Sequence, residues 1–292
     1  MFTVTALTSP AAPSLGGALL APLRNAWGGG DIRWLNPGEA AEFDLPARPD
    51  NFEEVRAELQ AMRVDLCVQR TEGRRKSLLL ADMDSTMIGQ ECIDELADVA
   101  GVGPQVKEVT ARAMNGELDF EQALRERVAL LEGQDEGIID KVLAERITLT
   151  PGGPELLATM KANGAYAALV SGGFTAFASR IAERLGFDEA RANLLLAEGG
   201  KLTGRVGEPI LGRDAKLAAL RELAASLPGG TGDAMAVGDG ANDLAMLTRA
   251  GSGVALHAKP VVAAECDLRI NFGDLTALLY LQGYAKSDFV TP

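Results

Sequence analysis

The chain has 292 residues, 47% of them hydrophobic and 24% charged, which suits about two packed domains and excludes disordered, collagen-like and coiled-coil organisation. Lys and Arg number 28 against 41 Asp and Glu, a net charge of −13. With no basic face expected, neither nucleic acid nor an anionic membrane surface is a partner, and an anionic ligand needs a local positive field from a few cations, a helix N-terminus or a metal ion.

Phe2, Val4 and Ala6 alternate as in a strand, and a helix reaching Trp27 follows a Pro/Ser/Gly stretch. Ile32 with Trp34, and Phe43 with Leu45, mark two short strands. Phe52, Val55, Leu59 and Met62 recur at spacings of 3, 4 and 3, one face of a helix, with Asp50 and Glu53 as its N-terminal signal. Val64, Leu66 and Val68 alternate again. The order βαββαβ over residues 1–72 resembles a ferredoxin-like domain of the kind that includes amino-acid-sensing modules, which leaves a regulatory role open. Thr71–Lys76 is a polar linker, and Ser77–Ala81 is an apolar run suited to a central strand buried on both faces.

Residues 88–149 read as helical throughout. Apolar stripes run through Ile93, Leu96 and Ala100, then Val106, Val109 and Ala113, then Phe120, Leu124, Val128 and Leu131, then Ile138, Ile139, Val142 and Leu143. Gly101 and Gly103, Asn115-Gly116, and Gly133 separate them, as in a small bundle. After Pro151 and Gly152-Gly153 strands and helices alternate: strand Ala165–Val170, helix Phe174–Leu185, a hairpin over Leu194–Leu211 around Gly199-Gly200, helix Ala215–Leu227, strand Ala234–Val237, helix Asn242–Ala250 capped by Gly251, and strands Gly253–Leu256 and Leu268–Phe272. The fold class is α/β, a doubly wound, Rossmann-like parallel sheet over 73–87 and 150–292, with residues 88–149 inserted in it as a helical cap. Ligands of such sheets bind beyond the carboxyl ends of the strands.

Four features fall at such ends. Asp82-Met83-Asp84-Ser85-Thr86 places two carboxylates directly after a core strand, an arrangement that costs repulsion unless a cation is present and that suits phosphoryl transfer. Ser171-Gly172-Gly173 offers a hydroxyl and free N–H groups for a phosphate, although such a tripeptide is also a routine turn. Lys216 opens a helix, where a solvated surface lysine is the ordinary alternative. Gly238-Asp239-Gly240-Ala241-Asn242-Asp243 frames further acids. Cys67, Cys92 and Cys266 lack the spacing of a disulfide framework or zinc site, and the single histidine, His257, excludes two-histidine metal chemistry. No positive charge precedes Arg24 and no stretch of ~18 apolar residues occurs, so a cytoplasmic protein is expected.

Taken together and in this order, the four features resemble the haloacid dehalogenase (HAD) superfamily of aspartate-nucleophile phosphatases, over residues ~77–290. Glu91, Met114, Gly116, Phe120, the run Glu121–Val128, and Phe174 narrow the resemblance to the phosphoserine phosphatase family within it. That family implies Asp82 as nucleophile and Asp84 as acid/base. It implies Mg²⁺ held by Asp82, the Asp84 main-chain carbonyl and Asp239, with Asp243 behind them. Ser171, Gly172, Lys216 and Asn242 are implied around the phosphoryl group. Spacing adds one point: Phe120, Leu124, Arg127 and Leu131 are 4, 3 and 4 apart, so Arg127 lies on the buried stripe and Arg125 is turned towards Glu121. A buried guanidinium needs an anion, either a carboxylate of the cap or, as the resemblance implies, that of the substrate, with Glu91 receiving the ammonium. Phosphoserine is then the small-molecule substrate, as in the last step of serine biosynthesis. Transfer to another alcohol, another small phosphomonoester and a phospho-accepting signalling domain are the alternatives. The last needs no cap and no second Asp. Assembly, a homodimer included, is left open.

Overall fold

The structure, a computed structural model, describes residues 1–115 and 117–291. Gly116, read above as ending a cap helix, and Pro292 lie outside the described residues. The N-terminal part runs β1 (Phe2–Leu7), α1 (Gly17–Ala26), β2 (Arg33–Asn36), β3 (Ala40–Leu45), α2 (Phe52–Ala61) and β4 (Asp65–Arg70). Its antiparallel sheet has the order β2-β3-β1-β4. Val4, Ala6, Phe43, Leu45, Leu66 and Val68 point to one face and pack on Leu20, Phe52 and Leu59 of the two helices. Alternation sends Leu7, Ala40 and Cys67 to the other face, where they join the main core. Asn51, not Asp50, precedes α2, and no side chain caps it. Glu53 is held instead by Arg48 and Arg56.

The chain then enters β5 (Leu78–Ala81), all four residues of which are buried. α3 (Cys92–Val99), α4 (Gly103–Met114), α5 (Phe120–Ala129) and α6 (Ile138–Glu145) follow, and α7 (Gly153–Ala162) leads into β6 (Tyr166–Phe174). After α8 (Thr175–Leu185) come β7 (Glu189–Asn193), β8 (Leu195–Glu198), β9 (Lys201–Val206), α9 (Arg213–Ala224), β10 (Ala234–Gly238), α10 (Leu244–Arg249), β11 (Ser252–Leu256), α11 (Pro260–Ala264), β12 (Leu268–Ile270) and α12 (Ala277–Leu281). The parallel sheet has the order β12-β11-β10-β5-β6-β7, so β5 is central. Leu79, Ala81, Leu169, Met235 and Val237 form one face of it. Leu78, Leu80, Ala168, Val170, Ala234 and Ala236 form the other, against α9 and α10. Apolar runs without alternation are what a sheet covered on both faces requires.

Several expectations change. Ser171-Gly172-Gly173 is not a turn: β6 stays extended to Phe174, which pairs with Asn193, and the Asn193 side chain donates to Gly172 O at 2.9 Å. The edge strand β7, Glu-Ala-Arg-Ala-Asn, carries no apolar pattern and was not foreseen; nor were α7, α11 and α12. Gly251 does not cap α10. Ala250 already turns extended (φ −67°, ψ 150°), and Gly251 is needed because a Cβ there would lie 1.9 Å from Gly232 O. Phe120 is 37% exposed whereas Leu124, Val128 and Leu131 are buried. Among the described residues no helix is long and apolar enough to cross a membrane.

The two sheets meet edge to edge. The Asp65 carboxylate at the start of β4 accepts N–H groups of Asn271, Phe272 and Gly273 at 2.8–2.9 Å, just beyond β12. Arg56 donates to Asp267 O at 3.1 Å.

Candidate active site

The carboxyl ends of β5, β6 and β10 converge on one cleft, with the first turn of α9 beside them. Asp82 leaves β5 with its N–H on Val237 O at 3.0 Å, so the neighbouring strand fixes it. Its Oδ1 accepts Met83 N–H at 2.8 Å and stands 2.5 Å from Lys216 Nζ. Lys216 also reaches Asp243 Oδ1 at 2.6 Å, and Gly240 N–H donates to Asp243 Oδ2 at 3.0 Å. The lysine is 2% exposed, which removes the surface-lysine reading. Burial works against its charge, but Asp82 and Asp243 outweigh that and raise its pKa, so the ammonium is retained. Burial pushes the Asp82 carboxyl up, Lys216 pulls it down, and Asp243 adds to the rise.

Asp239 joins this group. Oxygens of Asp82, Asp239 and Asp243 lie within 4.8 Å of one another, and Thr86 Oγ1 donates to Asp239 Oδ1 at 3.3 Å. Burial, then Asp243, raises the Asp239 carboxyl. Three buried carboxylates, two of them on one lysine, form an all-oxygen donor set short of positive charge, which fits a hard divalent cation such as Mg²⁺. Asp84 is turned the other way. Its Oδ1 accepts Cys92 N–H at 2.8 Å and its Oδ2 the Ser171 hydroxyl at 3.1 Å. Ser171 Oγ in turn accepts Gly173 N–H at 2.8 Å. A Cβ at Gly173 would come 2.7 Å from Asp84 Oδ2, so only glycine allows this approach. Asn242 is half-buried in the loop between Asp239 and Asp243.

The remaining candidates border the same cleft. Glu91 accepts the Ser85 hydroxyl at 2.7 Å, and its carboxyl is raised by burial and then by Asp84. Arg127 Nε donates to Ala123 O at 3.2 Å within α5. Its guanidinium forms no ion pair with any described carboxylate, so the alternative of a structural partner in the cap is not met. Burial lowers its pKa, while the fields of Asp94, Glu91 and Asp84 pull it back up. Arg125 pairs with Glu121 at 3.1 Å, as its spacing required, and with Glu208 at 2.9 Å.

Three residues were missed as parts of the site. Thr86 and Ser85 lie inside the first motif; a hydroxyl beside acids was the available signal for Thr86, and none was available for Ser85. Phe120 was assigned to the bundle core, yet its ring lies over the cleft. A Cβ at Gly172 or Gly212 would stand 3.1 or 3.5 Å from it, so the cap touches the core there.

Residues 79–248 match the model of the haloacid dehalogenase-like hydrolases. A phosphoserine phosphatase of Streptomyces coelicolor is 45% identical over 233 residues, 79% of this chain and 57% of that protein. The crystal structure of a HAD family hydrolase from Salmonella enterica serovar Typhi superposes with a TM-score of 0.87 at 30% identity, covering 96% of this chain and 98% of that one. The unliganded crystal structure of a probable phosphoserine phosphatase from Vibrio cholerae gives 0.80 at 35% identity, covering 98% and 88%. The chain thus spans little more than half the length of the Streptomyces relative. It belongs to the haloacid dehalogenase-like hydrolase family.

Proposed function

We propose that the chain is a phosphoserine phosphatase, a phosphoric monoester hydrolase that converts O-phospho-L-serine to serine and phosphate. The carrying observation is Arg127, a half-buried guanidinium with no ion pair among the described residues, within the fields of Asp94, Glu91 and Asp84. One fixed cation and one fixed anion match the carboxylate and ammonium of an amino acid and have no counterpart in a sugar phosphate. Relatives named phosphoserine phosphatase support the same reading.

In this reading Asp82 Oδ attacks phosphorus, its carboxylate held by Lys216 and by the Met83 N–H. Lys216, the Ser171 hydroxyl and the Gly172 N–H meet charge on the transferred phosphoryl oxygens, with Asn242 beside them. Asp84, protonated, gives its proton to the departing serine oxygen. It then takes a proton from the water that cleaves the aspartyl-phosphate. Asp82, Asp239 and the Asp84 main-chain carbonyl, with Asp243 behind them, would hold Mg²⁺, which would supply positive charge towards the phosphoryl group. Phe120 closes the cleft over Gly172 and limits bulk water. Serine formed this way belongs to amino-acid biosynthesis.

The test is phosphate release with Mg²⁺ from O-phospho-L-serine, O-phospho-L-threonine, phosphoethanolamine and a sugar phosphate. Preference for phosphoserine is expected. A flat or sugar-preferring profile would overturn the substrate while leaving the aspartate chemistry. Appearance of a phosphorylated alcohol on adding free alcohols would turn the reading to phosphotransfer.

A further inference from the structure

We infer that Ser85 is a positioning residue for recognition of the substrate's amino group: its hydroxyl anchors Glu91 to the core, so that the ammonium site is built on the core and the carboxylate site on the cap. This rests on the phosphoserine reading of the site.

Ser85 has φ 55° and ψ 7°, one of three non-glycine residues with positive φ among the described residues. A Cβ makes that conformation unfavourable, and glycine would be the relaxed choice. What serine adds is the hydroxyl, which donates to Glu91 Oε1 at 2.7 Å. The left-handed turn is what brings the two together: it also sets Ser85 N–H on Gln90 O at 3.2 Å, closing the loop that runs from Asp84 to Glu91. One residue further, Cys92 N–H bonds Asp84 Oδ1 at 2.8 Å. These three bonds fasten Glu91 and the first turn of α3 to the segment that follows β5.

Glu91 needs fastening. The carboxylates of Asp84 and Asp239 both act to repel it, and solvent is the lower-energy alternative for an unheld glutamate. Arg127 is held differently. Its hydrogen bond goes to Ala123 O of its own helix, so it travels with the cap. The ammonium-binding anion is thus fixed beside Asp84 by bonds to the segment after β5, and the carboxylate-binding cation by a bond within α5.

The experiment measures kcat and KM for Ser85→Ala, Ser85→Gly and Glu91→Gln. The substrates are O-phospho-L-serine and 3-phosphooxypropanoate, which is phosphoserine with hydrogen in place of the ammonium group. Loss of one hydrogen bond to a charged group predicts a rise of about tenfold in KM for phosphoserine in both Ser85 variants. KM for 3-phosphooxypropanoate should stay within about twofold, since no charge-assisted bond to its missing ammonium is lost. Ser85→Gly relaxes the backbone and Ser85→Ala does not, so a loss common to both reports the hydroxyl. If Glu91→Gln shows the ammonium-dependent loss and the Ser85 variants do not, the positioning role is wrong and the phosphoserine reading stands. Equal losses on both substrates would make Ser85 merely structural and also overturn it. If Glu91→Gln itself discriminates nothing, the ammonium role of Glu91 fails, and the anchoring proposal fails with it.

Discussion

Replacing Lys216 by methionine should cost stability in a way that depends on pH and on divalent cation. Lys216 Nζ lies 2.5 Å from Asp82 and 2.6 Å from Asp243, and the three side chains are 2, 7 and 0% exposed. Methionine fills the space of the lysine stem, so the cavity contribution is small. What remains is two buried carboxylates without their cation, and breaking such a pair costs about 3–5 kcal/mol. The loss should be read as a shift in the urea midpoint at pH 7.5 in EDTA. The pH dependence has a definite sign. Burial and the charge of Asp243 already raise Asp82, and without Lys216 its folded-state value rises further above the unfolded value of about 3.9. An acid with a raised folded pKa binds its proton more tightly when folded, so stability falls as pH climbs from the unfolded value through the folded one. The deficit of Lys216→Met should therefore be small near pH 5 and grow towards pH 8. Added Mg²⁺ should recover more in the variant than in the wild type, since it meets the same carboxylates. Adding Asp243→Asn should return part of the loss. A midpoint equal to wild type at pH 7.5 in EDTA, or a deficit that does not change with pH, would refute the reasoning.

Asp82→Asn should lower phosphate release by about 10⁴-fold or more with little change in the unfolding midpoint, and normal turnover would exclude Asp82 as nucleophile. Arg127→Ala should cut kcat/KM for phosphoserine by about 10–100-fold, the worth of charge-assisted bonds to a carboxylate, and spare phosphoethanolamine, which has none. Equal losses would reject the carboxylate role. Removing Mg²⁺ with EDTA should lower wild-type stability by about 2.7 kcal/mol relative to a concentration 100 times its Kd, and a midpoint insensitive to Mg²⁺ would count against the carboxylate cluster as its site. Burial pushes the Cys67 thiol up to about 12, and its Sγ lies 3.6 Å from Arg269 O. All three cysteines are buried, so a thiol reagent at pH 8 should modify none of them quickly until the protein is unfolded, and fast native labelling would contradict the packing of the sheet edges.

What could be read in advance follows from how strongly each segment is constrained. β5 and β10 are buried on both faces and therefore carry unbroken apolar runs that end at Asp82 and Asp239, so the strands marked the site. α3 to α6 each bury one stripe, which periodicity reveals. β7 could not be seen because an edge strand needs only its backbone to pair, and Glu189 and Arg191 face outward to make ion pairs. α11 and α12 span five residues each, too short for a helical period to register. Gly251 resembled a helix cap because sequence shows that a glycine is needed and not which atom, here Gly232 O, would collide with a Cβ. Spacing alone put Arg127 on the inward side of α5, where it is half-buried, whereas Phe120 obeyed the same spacing and still turned to the cleft, since it begins α5 and has no preceding turn to cover it. Ser85 could not be anticipated: its role depends on a left-handed φ that favours glycine, and nothing in the residue type announces it.

The charge balance of the cleft explains why so acidic a site can accept an anion. Among the described residues Asp82, Asp84, Glu91, Asp239 and Asp243 face Lys216 and Arg127, with Lys259 acting on Glu91 and Asp239, and Lys216 is already shared by two of the acids. Phosphoserine brings a phosphate dianion and a carboxylate against one ammonium. At an effective dielectric of about 20, each unbalanced pair of like charges 4 Å apart costs roughly 4 kcal/mol, too much for binding unless the excess is met locally. On the proposed reading the arrangement would meet it at separate points: Glu91 with the ammonium, Arg127 with the carboxylate, and the all-oxygen cluster with a divalent cation beside the phosphate. On the same reading, the acidity of the cleft would favour a ligand that arrives with a matching cation and carries its own positive group.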